Sequence, residues 1–398
     1  MISAAPTCYY KLLGILSICS LSTIAFPVLA DTATASGLIA EYTDKNTTDW
    51  LGLKGSAWSV GGWATGGIGF NADNPGNHTN GPVNMTDRNS ELNLYQLNVY
   101  LEKAVTKSTH WDIGGRVDYL FGTDTRYTQA AGDWDTHLMK PDSYYNMAIP
   151  QAYAEIYAPI GNGLSAKIGH FYTIIGYESV PSGLNFFSSH TYSFKSSPFT
   201  TTGALFNYTI NNQWSINLGA VKGMDNFDLN PAAWAQMSGI NWANANTGTS
   251  LSFSIMQGNG YQNMPNNDLE YYSAIFQQQF GKWLYVLQHD RGTLNHAANN
   301  GQSTAAWYSI VNYLTYQLND NLGLGVRGEW FRDQSGFRYG YGESSLYDVT
   351  AGINWKPKSW LLIRPEARYD WAIGSIAPFD SGHQFSQVLL GMDAVVQF

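Results

Sequence analysis

Charged side chains are scarce in this chain, and the few present fall into rows. Near the C-terminus Arg364, Glu366, Arg368 and Asp370 recur at every second position. Residues two apart on a β-strand share one face, so this row presents both signs of charge to one side. Arg327 and Glu329 repeat the spacing, and Asp348 and Asp393 sit in neighbouring segments of the same kind. An earlier set, Glu102, Arg116, Asp118, Glu155 and Lys167, carries a similar mixture. A wall of mixed charge around a wet lumen creates a transverse field that orders water and biases the passage of ions or solutes. The structural alternative is that inward charges simply pair with one another or with water.

Covalent or metal chemistry has no comparable pattern. There is no Gly-x-Ser-x-Gly elbow, no His-Glu-x-x-His and no EF-hand loop. The histidines (78, 110, 138, 170, 190, 289, 296 and 383) show no ligand spacing. Asp133 with Asp135 and Asn71 with Asp73 read as solvated loop groups rather than a calcium site. We therefore assign no catalytic, cofactor-binding or metal-ligating residue, and passive transport needs no cofactor.

The elements that must hold these rows are strands. The closing stretch Ser386–Phe398 places Val388, Leu390, Met392, Ala394, Val396 and Phe398 on one face and Gln387, Asp393 and Gln397 on the other. Trp111, Ile113, Val117, Tyr119 and Phe121 likewise alternate with Asp112, Arg116 and Asp118. About sixteen such segments follow residue 55, near 56–70, 91–104, 109–122, 148–158, 163–173, 201–210, 213–222, 237–245, 249–257, 269–280, 282–291, 304–317, 320–331, 345–356, 359–372 and 386–398. Seven short connections alternate with eight long ones, near 71–90, 123–147, 174–200, 223–236, 258–268, 292–303, 332–344 and 373–385. Short turns on one side and long loops on the other are the pattern of a transmembrane antiparallel β-barrel with periplasmic turns and extracellular loops. Arg or Lys on the lipid face costs ~2–4 kcal/mol at the midplane, so the charged rows are expected to point inward. Segments 282–291 and 304–317 do not sort into two clean faces.

Composition agrees. Charged residues are 13% and aromatics 15%, against roughly 25% charged in ordinary soluble domains. The mean hydropathy is only −0.23, as expected when apolar residues are dispersed by alternation. Lys11 followed by the apolar run Leu12–Ile24 and by Pro27-Val28-Leu29-Ala30 reads as a signal peptide, residues 1–30, cleaved near Ala30. Both cysteines, Cys8 and Cys19, lie within it, so the exported chain carries no thiol. The acidic balance, −9 at pH 7, gives no electrostatic reason to bind nucleic acid. Residues 31–54 read as a polar periplasmic lead-in with one weak helical turn, and 55–398 as the barrel.

One long connection is distinctive: Gly169-His170-Phe171-Tyr172-Thr173-Ile174-Ile175-Gly176-Tyr177-Glu178-Ser179-Val180, continuing through Pro181 to Phe194. With Asp87-Arg88-Asn89, Asp118–Gly122, Gln151-Ala152-Tyr153 and Pro198–Gly203, it resembles the OmpL-like putative beta-barrel porins over roughly residues 85–230. His170 and Met224 depart from that family's pattern, which has a basic residue and a Trp there. The resemblance implies a porin-type barrel in the Gram-negative outer membrane. General porins often fold the third long loop into the barrel, and this one is aromatic and nearly uncharged. Glu178, Asn185, Phe186, Phe187, Tyr192, Phe194 and Lys195 are its candidate constriction residues. Phe398 is a candidate assembly signal for the outer-membrane assembly machinery. The expected partners are outer-membrane lipid, that machinery, small hydrophilic solutes and, by analogy with general porins, two further copies in a homotrimer. The competing functional readings are a non-conducting barrel presenting loops as a receptor or adhesin, and a barrel hydrolase.

Overall fold

Period-two alternation becomes a closed antiparallel barrel of sixteen strands in the computed structural model, which describes residues 37–132, 135, 143–227, 233–261 and 264–398. The proposed signal peptide lies outside the described residues. The first half comprises β1 (Ser59–Asn71), β2 (Leu92–Lys103), β3 (Asp112–Gly122), β4 (Asn146–Ala158), β5 (Leu164–Tyr172), β6 (Thr200–Thr209), β7 (Trp214–Val221) and β8 (Ala235–Asn244). The second comprises β9 (Thr249–Tyr261), β10 (Met264–Phe280), β11 (Trp283–Ala298), β12 (Ser303–Asn319), β13 (Leu322–Asp333), β14 (Ser344–Lys358), β15 (Leu361–Gly374) and β16 (Ser386–Gln397). Each strand pairs with its sequence neighbours, and β1 closes on β16 from Trp63↔Gln397 to Asn71↔Leu389. Closure leaves no sheet edge unpaired, the condition for crossing a bilayer with strands.

The faces follow the alternation. On β16, Val388, Leu390 and Met392 are exposed while Gln387, Leu389, Asp393 and Val395 are buried toward the lumen. On β3, Trp111, Ile113, Val117 and Tyr119 at or beside the strand are exposed and Asp118 is buried. The two unsorted segments belong to β11 and β12. Their lumen side carries Leu284, Val286, Val311 and Tyr313, all buried and packed around Phe187 with Ile275. An apolar inner face removes the contrast on which period-two reading depends.

Two of the expected long loops are largely strand. β9 and β10 extend to Tyr261 and from Met264, and β11 and β12 reach Ala298 and start at Ser303. These hairpins project beyond a membrane span, since a tilted strand needs only ~9–11 residues to cross.

The lead-in holds two short helices, α1 (Leu38–Thr43) and α2 (Thr47–Trp50), rather than one weak turn. Asn46 caps α2 by accepting from the Asp49 amide at 2.8 Å. Partners on the barrel rim fix both helices. The Glu41 carboxylate accepts from Lys358 Nζ at 2.6 Å and Trp360 Nε1 at 2.5 Å, and the Val60 amide donates to Thr48 Oγ1 at 2.9 Å. Phe398 ends beside them, exchanging both main-chain hydrogen bonds with Gly62 at 2.9 and 3.0 Å.

Candidate functional site

The connection between β5 and β6, residues 173–199, lies inside the barrel. Pro181 leads into a 3₁₀ turn over Ser182–Leu184. Asn185 then staples the bend, accepting from the Ser179 amide at 2.8 Å and donating to the Ser179 carbonyl at 2.6 Å. A short helix, α3 (Tyr192–Ser196), follows with Thr191 as its N-cap: Oγ1 accepts from the Phe194 amide at 2.9 Å. Phe187, Tyr192 and Phe194 are buried. Phe186 packs edge-on against Phe187 at 5.0 Å and lies against β13 at Gly325, where a Cβ would collide with its ring. Lys195 stands over the Tyr339 ring at 5.1 Å, and burial, with Arg338 beside it, lowers its pKa to about 8.

The wall of β13–β16 grips this segment by its backbone. Arg364 forms a bidentate pair with Asp393 at 2.9 and 2.5 Å, and its third nitrogen donates to the carbonyls of Ser182, Asn185 and Phe187 at 2.7, 2.8 and 3.1 Å. Arg368 donates to Asp370 at 2.8 Å and to the His190 carbonyl at 2.6 Å, with Asp348 at 3.7 Å. Arg327 donates to the Ser189 carbonyl at 2.7 Å, to Glu178 at 3.1 Å and to Asp348 at 3.3 Å. The acids take the amides. Glu366 accepts from Ser188 and Ser189 at 2.8 and 3.0 Å, and Glu329 from Tyr192 and Ser193, both at 2.7 Å. Asp370 accepts from the Tyr192 hydroxyl at 2.6 Å. Arginines bind carbonyls and carboxylates bind N–H groups, so an irregular segment inside a barrel keeps its polar backbone satisfied. Arg327, Arg364 and Arg368 are among the largest fully buried side chains.

Glu178 is the loop's own anchor. His190 Nδ1 donates to it at 2.9 Å, the Thr191 amide at 3.1 Å and the Tyr313 hydroxyl at 2.9 Å, besides Arg327. Burial alone would push the Glu178 carboxyl up, but the charges of His190 and Arg327 and these hydrogen bonds hold it down to about 2.

The early set sits differently. Arg116 pairs with Glu102 at 3.1 Å and Asp118 at 2.5 Å and lies over the Tyr100 ring at 4.1 Å. Its side chain is 18% exposed and that of Glu102 26%, whereas Asp118 beneath them is fully buried and receives Asn98 and Gln151 at 3.4 Å each. Glu155 and Lys167 face each other across the β4–β5 ladder, both half-buried, with Lys167 Nζ 4.6 Å over Tyr153. Among the described residues, segment 173–199 makes no hydrogen bond or ion pair to Glu102, Arg116, Glu155 or Lys167.

Several residues that hold the segment were not singled out by charge or motif. Gln96 donates to the Val180 carbonyl at 2.8 Å and accepts from the Ser182 amide at 3.2 Å, and Thr65 shares a 2.6 Å hydrogen bond with the Ser182 hydroxyl. Ser193 donates to Asp290 and accepts from Ser309 at 2.9 Å. Their only advance signal is an inward parity on their strands. Of the loop acids weighed for calcium, Asp133 lies outside the described residues, and Asp135 accepts from the Ala130 and Ile149 amides at 2.8 Å each.

A family model described as "Putative beta-barrel porin-2, OmpL-like" matches residues 58–398, the whole barrel. No curated protein matches the chain in sequence. Solved structures of similar fold include OprB of Pseudomonas putida, with TM-score 0.58 and 12% identity over 89% of this chain and 98% of that one. The anion-selective porin from Comamonas acidovorans aligns with TM-score 0.57 and 8% identity over 86% and 99% of the two chains. OmpT of Vibrio cholerae in its trimer form gives 0.55 and 11% over 86% and 99%. At such identities these likenesses establish the fold.

Proposed function

The chain belongs to the OmpL-like putative beta-barrel porin-2 family, and we propose that in this outer-membrane porin small hydrophilic solutes and ions pass along the early-strand wall. Glu102, Arg116, Glu155 and Lys167 line that route, with Asp118 fixing Arg116 from below. Segment 173–199 narrows the lumen, and Arg327, Glu329, Asp348, Arg364, Glu366, Arg368, Asp370 and Asp393 serve as its clamp. The observation that carries this reading is the contrast in cover. The late charges are spent on the segment, while Glu102, Arg116, Glu155 and Lys167 are only partly buried and, among the described residues, receive no hydrogen bond or ion pair from it.

We read the protein as a channel without enzymatic activity. A homotrimer, cleavage near Ala30, a 31–54 lead-in tied to the rim and an assembly signal at Phe398 complete the proposal. N-terminal sequencing and the cross-linked mass of purified protein check the first two, and insertion of a chain lacking Phe398 checks the last. The main experiment is planar-bilayer recording of a variant lacking Asn185–Phe194. Unitary conductance should rise at an unchanged folded yield; unchanged conductance would remove the segment from the pathway. A barrel with no conductance in either form would instead fit a receptor or adhesin.

A further inference from the structure

The lipid-facing side of β10–β15 carries a feature that transport does not use. His289, Ile310, Trp330, Tyr347 and Trp371 are successive ladder neighbours on the outer face. Tyr347 and Trp371 stack at 4.9 Å, and Trp330 meets Tyr308 edge-on at 5.5 Å. Trp330, Tyr347 and Trp371, with Tyr308, form an aromatic belt of the kind found at a membrane interface. One outward step further, toward the long loops, the ladder reads Tyr272, Arg291, Tyr308, Arg332. Two arginines thus alternate with two tyrosines on the headgroup side of the belt.

Depth supports this placement. Trp283, stacked with Phe280 and packed on Tyr316, marks the opposite belt on the same strand. Arg291 is eight residues beyond it, about 27 Å along the strand at ~3.4 Å per residue. With the tilt of a barrel strand that is about 20 Å along the membrane normal, close to the ~25 Å apolar band. Arg291 is exposed, and among the described residues its guanidinium makes no hydrogen bond or ion pair. Arg332 pairs with Glu343 and donates to Ser345 Oγ at 3.3 Å. The acids Glu270 and Asp268 lie further toward the loops on β10, and neither pairs with Arg291. An uncompensated arginine on a lipid-facing row is costly unless an anion at the interface meets it.

We infer that the outer face of β10–β13 binds a phosphate-bearing lipid headgroup of the outer leaflet, with Arg291 and Arg332 receiving phosphate oxygens and Tyr272 and Tyr308 flanking them. The two arginines are two strands apart, roughly 10 Å at the usual strand spacing, which suits a headgroup carrying two phosphates on a disaccharide. Guanidinium forks match phosphate geometry. The inference rests on the outer-membrane location but not on conductance, so binding is measured directly.

The test uses the full chain folded in detergent, with retained lipid read by native mass spectrometry. The probes are bisphosphorylated lipid A, the same lipid stripped of its phosphates, and inorganic phosphate as competitor. Native protein should retain the bisphosphorylated lipid, and R291Q/R332Q should retain roughly thirtyfold less, given ~1 kcal/mol for each of two interfacial cations. R291K/R332K, which keeps the charge but loses the fork, should retain less than native and more than R291Q/R332Q. Arg291→Gln alone removes no contact within the protein, so it reports binding even where the double variant folds poorly. Equal retention by native and both Gln variants, or of phosphorylated and stripped lipid, would overturn the inference. Displacement by inorganic phosphate at matched concentration would also overturn it, assigning the row to free anions.

Discussion

The late wall, β13–β16, and the early wall, β2–β5, show the same signal of inward residues of both charges at period two, yet they meet different fates. On the late wall Arg327, Glu329, Asp348, Arg364, Arg368, Asp370 and Asp393 are buried and Glu366 is half-buried, and each of these is committed to segment 173–199 or to a charge that is. On the early wall Arg116 and Glu102 keep 18% and 26% of their side-chain surface, and among the described residues the segment makes no hydrogen bond or ion pair to them. An inward charge therefore does not by itself identify a pore lining. What decides its role is whether main-chain donors and acceptors arrive to consume it.

The sharpest way to break this contrast is Arg364→Gln. It strips Asp393 of a bidentate partner and removes a donor from three loop carbonyls, of which Ser182 alone keeps another, the Asn185 amide. Removing one member of a buried, hydrogen-bonded pair typically costs ~3–5 kcal/mol. Urea unfolding followed by Trp fluorescence should show a loss of that size; a loss under ~1 kcal/mol would mean the clamp is not where the stability lies.

A second effect is pH-dependent and somewhat smaller. Glu178 has its pKa depressed to about 2 in the folded protein, against ~4.3 for a free glutamate. Its stabilisation, roughly 3 kcal/mol by linkage, is fully present above about pH 4.3 and fades as pH falls toward 2. Unitary conductance should hold steady from pH 7 to about 5 and rise in acid as the segment loosens. Glu178→Gln should show the larger conductance at neutral pH and lose the acid step. A variant with an intact step would place the titration elsewhere.

The smallest change in stability is expected on the early wall. Lys167→Gln removes a half-buried cation facing Glu155, and pairs of this exposure contribute only ~0–1 kcal/mol. Its consequence should appear as a shift of reversal potential toward cation preference in a salt gradient. An unmoved reversal potential with normal conductance would take Lys167 out of the pathway.

Legibility in the sequence divides along the same line. The barrel, its strand number and the rows of charge could be read because a charge on the lipid side is costly, so alternation is enforced residue by residue. β11 and β12 could not be sorted, since Leu284, Val286, Val311 and Tyr313 make their inner face apolar beneath Phe187, while His289 and Arg291 stand outside. Aromatic composition singled out the third loop, and charge spacing singled out Arg364, Arg368 and Glu329. Their meeting was hidden, because the wall binds carbonyls and amides that every residue possesses. Gln96, Thr65 and Ser309 carried no mark beyond parity. The outer ends of β9–β12 read as loops because Asn- and Gly-rich segments there still pair as hairpins.

The absence of thiols after residue 30 allows the contrast to be measured directly. Cysteine is introduced singly at Lys167 on the early wall and at Thr350, fully buried beside Arg327 and Asp348, on the late wall. A membrane-impermeant thiol reagent is then added to the folded protein in a bilayer. K167C should react and change the current, whereas T350C should stay unmodified until the protein is unfolded. If T350C reacts as readily as K167C, the late wall is wet and the division of labour between the two walls is wrong.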